Sequence, residues 1–174
     1  LGRAVDRRQV LEVDYYRNSD GTVVHRVLQP VGILFDSFYF YLIAYYDPED
    51  EVFKRRGMKS QEFPNTYRID RIEKVWRAGR GFRAPYENRF QEGEFRKRVP
   101  FMFTGPLATV SFWCHKASLE AVLDRLPTAV ENRVEGDWTY VTAEVHGEGV
   151  LMWLRGQGEH VRDVEFKTVP RRGR

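Results

Sequence analysis

The chain opens with Leu1, Ala4, Val5 and Arg8 on one helical face, which predicts a short helix before Leu11. From Leu11 to Tyr16 the period changes to two, with Leu11, Val13 and Tyr15 on one side, the pattern of a half-buried strand. Asn18-Ser19-Asp20-Gly21 is turn chemistry, because Asn and Gly accept positive φ at little cost. Thr22 to Leu28 is the returning strand, and Pro30, which lacks an amide donor, predicts an end to regular pairing or an edge. Val31 to Phe35 and Phe38 to Tyr46 read as two more strands joined near Asp36-Ser37. The second is so aromatic and β-branched that burial on both faces is expected. Asp47 to Asp50 is a polar loop, and Thr66 to Trp76 reads as a last strand and turn. Short strands with closely spaced turns predict a small barrel.

Gly79 to Pro100 breaks the pattern with several glycines, prolines and charges, and reads as a linker that packs through Phe82, Tyr86, Phe90 and Phe95. The second half alternates strand and helix. Ala108 to Cys114 is a strand, and Ser118 is the expected cap of a helix carrying Leu119, Val122, Leu123 and Leu126. Ala129 to Val134 and Trp138 to Val145 form a hairpin about Gly136-Asp137. Gly149 to Arg155 is a short helix, and Val161 to Phe166 the final strand. This β-α-β-β-α-β order is the split arrangement in which both helices cover one face of a four-stranded antiparallel sheet. The fold class is therefore α+β: a five-stranded barrel over residues 1–78, a linker over 79–100, and a βαββαβ, ferredoxin-like domain over 101–174.

Composition narrows the function classes. Hydrophobic residues make up 42% and aromatics 14% of 174 residues, too much apolar surface for a disordered chain. The longest apolar run, Phe38 to Tyr46, falls short of the roughly 20 residues of a bilayer-spanning helix. The single Cys114 cannot form an internal disulfide, and a cytoplasmic setting is expected. Net charge is only +3, but between Phe53 and Arg98 fourteen Lys and Arg face six Asp and Glu. Of the 28 basic residues, 22 are Arg, whose planar fork suits carboxylate or phosphate. Genome base composition is the other source of such an excess.

Catalytic motifs are scarce. No Gly-rich phosphate loop is present, the four histidines stand far apart, and Cys114 and His115 leave opposite faces of one strand. No catalytic residue, metal or cofactor is expected. The richer cluster is basic and aromatic. His25 and Arg26 sit together on one strand, Tyr39, Tyr41 and Tyr45 share a face of another, and Tyr67-Arg68-Ile69-Asp70-Arg71-Ile72 sets two arginines about an aspartate. Arginine forks beside aromatic rings fit a phosphate-bearing ligand, a carboxylate or a stacked base. The competing reading is structural: tyrosines as core with wet hydroxyls, and Arg71 paired with Asp70 or Glu73.

At these residues the sequence resembles a known family. Leu11-Glu12-Val13-Asp14-Tyr15-Tyr16, Arg26-Val27-Leu28-Gln29-Pro30, Phe40-Tyr41-Leu42-Ile43-Ala44-Tyr45 and Tyr67 to Ile72, in that order, are similar to the WYL domain of bacterial transcription regulators, with Phe40 where the name-giving Trp stands. The second half resembles the C-terminal extension, WCX, that often follows it, with Trp153-Leu154-Arg155-Gly156 as the matching segment. The resemblance implies an Sm- and SH3-like five-stranded barrel that senses a nucleotide or single-stranded nucleic acid and switches an N-terminal helix-turn-helix domain. Leu1 to Leu11 is too short to hold such a domain, so it is expected in the full-length protein. Homodimers, with the extension touching the partner chain, are also implied. Carried over by position, Arg26, Arg68 and Arg71 would grip phosphate oxygens, Tyr41 would stack or donate its hydroxyl, and His25 completes the set. The linker would be the hinge. The alternatives are an accessory nucleic-acid-binding module without a switch, or an enzyme that processes nucleotides.

Overall fold

The computed structural model of the chain describes residues 1–59, 61, 63–83 and 90–169. It divides into two compact units, Leu1–Phe90 and Gln91–Arg174. In the first, helix α1 (Gly2–Asp6) precedes strands β1 (Gln9–Arg17), β2 (Thr22–Asp36) and β3 (Tyr39–Tyr46), helix α2 (Glu51–Arg55), and strands β4 (Asn65–Arg68) and β5 (Ile72–Gly81). The strands form one antiparallel sheet in the order β4-β3-β2-β1-β5. Its core gathers Leu11, Val13, Leu28, Leu42, Ala44 and Tyr67, with Ala4 of α1 packed against them. These are alternate positions of neighbouring strands, as period two requires.

Five strands are present, but they are cut differently from the sequence pattern. The expected second and third strands are one, because β2 runs straight through Pro30. Pro30 is tolerated because the β1 ladder has ended at Leu11↔Leu28, which leaves β3 as the only paired strand there among the described residues. A register shift between Pro30 and Gly32 absorbs the missing donor. The expected last strand is two, since a 3-10 turn over Ile69–Arg71 breaks it into β4 and β5. β3 is buried only over Leu42, Ile43 and Ala44, whereas Tyr39 and Phe40 are exposed where it overruns the core. Among the described residues no ladder joins β4 to β5, so the sheet is an open run of strands rather than a hydrogen-bonded ring. The stretch read as a linker is partly ordered: β5 continues to Gly81, and helix α3 (Glu92–Arg98) buries Phe95. Residues 84–89, with Tyr86, lie outside the described residues.

The second unit continues from α3 with strand β6 (Leu107–His115), helix α4 (Lys116–Arg125), strands β7 (Val130–Glu135) and β8 (Trp138–His146), helix α5 (Gly149–Arg155) and strand β9 (Val161–Thr168). The antiparallel sheet has the order β7-β8-β6-β9. Ala108, Val110, Phe112 and Cys114 of β6 and Val141, Ala143 and Val145 of β8 pack on Val122 and Leu126 of α4 and Val150 and Leu154 of α5. Both helices thus lie on one face, as the sequence order predicted. Ser118 is not the cap of α4. The helix starts at Lys116, and His115, still extended, accepts a hydrogen bond from the Ala117 amide at Nδ1, 3.3 Å away. Ser118, already inside the first turn, places its hydroxyl 2.6 Å from Nδ1 of His160.

Candidate functional site

The β2–β3 hairpin closes on two residues, Ser37 and Phe38, both with positive φ (45° and 77°) between the paired Asp36 and Tyr39. A turn of this kind favours Asn-Gly, and a phenylalanine there is held in a conformation its Cβ disfavours. Phe38 is 91% exposed. Phe35 and Phe40, cross-strand partners with ring centroids 5.0 Å apart, are exposed beside it. An exposed aromatic tip on a disfavoured turn is the feature the sequence reading missed. The nine-residue apolar run from Phe38 to Tyr46 hid it, because that run read as interior strand.

Tyr41 and Arg68 are cross-strand partners on β3 and β4. Their neighbours Leu42 and Tyr67 turn into the core, so alternation turns Tyr41 and Arg68 to the other face. The Arg68 guanidinium carbon lies over the Tyr39 ring, 3.4 Å from its centroid, and the group donates two hydrogen bonds to Asp70, of 3.1 and 2.6 Å. That pair raises the Arg68 pKa and lowers that of Asp70. Burial raises the Tyr41 hydroxyl, and the charges of Arg68 and Arg71 act in opposition on it. Of the expected site residues, Tyr41 and Arg68 are thus brought together as cross-strand partners, and Arg71 lies in the 3-10 turn that directly follows β4.

The other two go elsewhere. Arg26 pairs with Val13 and shares its core-side face, where its charge acts on the buried Tyr67 hydroxyl. Its guanidinium donates to the carbonyl of His25, at 2.7 Å. His25 leaves the opposite face and sits among β1 carboxylates, with Nδ1 3.0 Å from Asp14 and Nε2 3.4 Å from Glu12, and Trp76 beside the ring. Adjacent residues of a strand point apart, so no single cavity on one face takes both.

The polar loop after β3 is also more than a solvated turn. Asp47 and Asp50 are each 1% exposed. Asp50 caps α2 by accepting from the Val52 amide at 2.7 Å, and also accepts from the Val27 amide at 2.8 Å. Asp47 accepts from Arg80, Gln29 and the Glu49 amide. This network ties β2, β3 and β5 together, and its four bonds leave Asp47 no lone pair to spare for a ligand. Among the described residues no group of three or more His, Cys, Asp or Glu is placed to hold a metal ion.

No curated protein matches the chain. Among solved structures it is similar to proteasome accessory factor B/C (PafBC) of Arthrobacter aurescens, at 17% identity and a TM-score of 0.41. That match covers 92% of this chain but only 23% of the other. Residues 1–76, which hold the whole corner from Phe35 to Arg71, match the family model of the WYL domain.

Proposed function

We propose that this chain is the ligand-sensing regulatory region of a bacterial transcriptional regulator, and that its ligand is a nucleotide or a short single-stranded nucleic acid. The observation that carries the reading is the corner itself: Arg68 over the Tyr39 ring and opposite Tyr41, with Arg71 in the turn that follows β4. Among the described residues Arg68 pairs with one carboxylate, Asp70, whose side chain is 53% exposed. An exposed ion pair is worth about 0–1 kcal/mol, so a phosphate can replace the carboxylate at little cost. At the hairpin tip beside Tyr39, the exposed Phe38 offers a ring for a base next to that phosphate.

The strand order β4-β3-β2-β1-β5 with a 3-10 turn before β5 supports an Sm/SH3-like barrel for the first unit. The order β7-β8-β6-β9 supports a ferredoxin-like, WCX-type second unit. In this reading the protein is cytoplasmic, dimeric and not an enzyme, and a helix-turn-helix domain elsewhere in the full-length protein receives the signal. The ligand acts by binding one arrangement of that assembly better than another, since only differential affinity shifts an equilibrium.

The test is binding of labelled short single strands and of mononucleotides to the chain and to its Arg68→Ala/Arg71→Ala variant. Each charge-assisted contact removed is expected to weaken binding by about 1–3 kcal/mol. Unchanged affinity in the double variant overturns the assignment.

A further inference from the structure

The sheet of the second unit has a second face, opposite the one that α4 and α5 cover. Alternate residues of β6 and β8 face α4 and α5, and the intervening ones face away. On that outer face the two inner strands present two adjacent cross-strand aromatic pairs. Trp113 lies beside Tyr140 with centroids 5.3 Å apart, and His115 meets Trp138 at 5.2 Å. The flanking strands supply the charge. Arg133 of β7 lies over the Trp113 ring at 4.9 Å, and Arg162 of β9 over Trp138 at 4.0 Å. Next to these rings Ser111 and Thr142 are also partners, small and hydroxyl-bearing where an aliphatic ridge would suit a protein partner.

We propose that this face is a second binding site, a stacking platform for single-stranded nucleic acid. Indoles that already accept a planar guanidinium present flat faces to a planar group, and a base is planar with a polar edge. Besides the rings, the described ion-pair partners of Arg133 and Arg162 are exposed carboxylates, Glu135 at 3.0 Å and Asp163 at 3.8 Å. Both are therefore free to swing from ring to phosphate when a base takes their place, because such exposed pairs are weak. Aromatic rings on the inner strands with arginines at the margin are what a sequence-tolerant single-strand surface needs: rings for bases and cations for the backbone. The site is independent of the Arg68 corner and does not rest on it.

The probe is a labelled dT12 strand at low salt, bound to the chain carrying Arg68→Ala and Arg71→Ala. Binding is expected to persist there, to fall about tenfold for each of Trp113→Leu and Trp138→Leu, and to fall again in Arg133→Glu/Arg162→Glu. The last pair alters only exposed side chains, so its loss of binding does not come from unfolding. A twelve-base-pair duplex, whose bases cannot stack on the rings, is expected to compete poorly. Loss of all binding in the Arg68→Ala/Arg71→Ala background overturns this platform and favours the corner alone. Unchanged binding in Arg133→Glu/Arg162→Glu, or full competition by the duplex, also overturns it.

Discussion

Arg80 grips Asp47 with two hydrogen bonds, of 3.0 and 2.7 Å, and so fastens the far end of β5 to the loop that leaves β3. Burial alone would raise the Asp47 pKa, but the bonds from Arg80, Gln29 and the Glu49 amide outweigh it and leave the carboxyl below its ordinary value. A group depressed by folding stabilises fully above its unfolded pKa of about 4 and loses that contribution as pH falls through the folded value. Acid should therefore loosen this unit, and Asp47→Asn should flatten the decline in Tm below about pH 4. Asp47→Ala, which leaves Arg80 to Glu49 and removes the acceptor of the Gln29 amide, is expected to cost about 1–3 kcal/mol in denaturant titration at neutral pH.

Asp70 occupies the position at Arg68 that a phosphate would take. Asp70→Asn removes the competing charge while keeping the side chain's shape. It is expected to raise affinity for an anionic ligand by up to about fivefold, the worth of an exposed ion pair. Titration of the variant with the tightest-binding single strand or nucleotide measures this. A fall in affinity would mean that Asp70 orients Arg68 rather than competes for it.

Phe38 separates stability from binding. Its φ of 77° suits glycine, so Phe38→Gly is expected to raise stability by up to about 1 kcal/mol, seen as a higher Tm. The same change removes a ring that is almost wholly exposed and is expected to weaken ligand binding. A higher Tm with unchanged binding would show that the tip plays no part in recognition.

Gly147 permits a close backbone approach in the second unit. It has φ 77°, and a Cβ there would lie 2.6 Å from the Phe103 carbonyl oxygen. Gly147→Ala is therefore expected to cost more than about 1 kcal/mol and to lower Tm, whereas Gly136→Ala, with a similar φ of 59° but open space around it, should be milder.

The second unit was the more legible in the sequence. Its strands and helices alternate cleanly, and Gly149–Arg155 could be read directly because Gly156 follows it. The first unit hid two facts. One strand serving two ladders looks like two strands when a proline falls at the change of partner. A strand that overruns its core looks wholly buried, because residue type records hydrophobicity but not where the neighbouring strands stop. Tyr41 and Arg68 are grouped through the family resemblance, and the β3–β4 pairing sets them opposite one another. Arg26 and His25 could not be sorted, because their opposite directions follow from the register with β1.

Leu28 lies opposite Leu11 on one side and Tyr46 on the other. β2 is therefore one strand shared by two ladders, with the ligand corner's hairpin at one end, and the start of β1, just after α1, meets it midway at Leu28. A ligand that draws the tip toward Arg68 would load that strand lengthwise. The load would be felt at β1, directly after the chain's first helix, so a short mechanical route leads from the aromatic tip back toward the amino terminus.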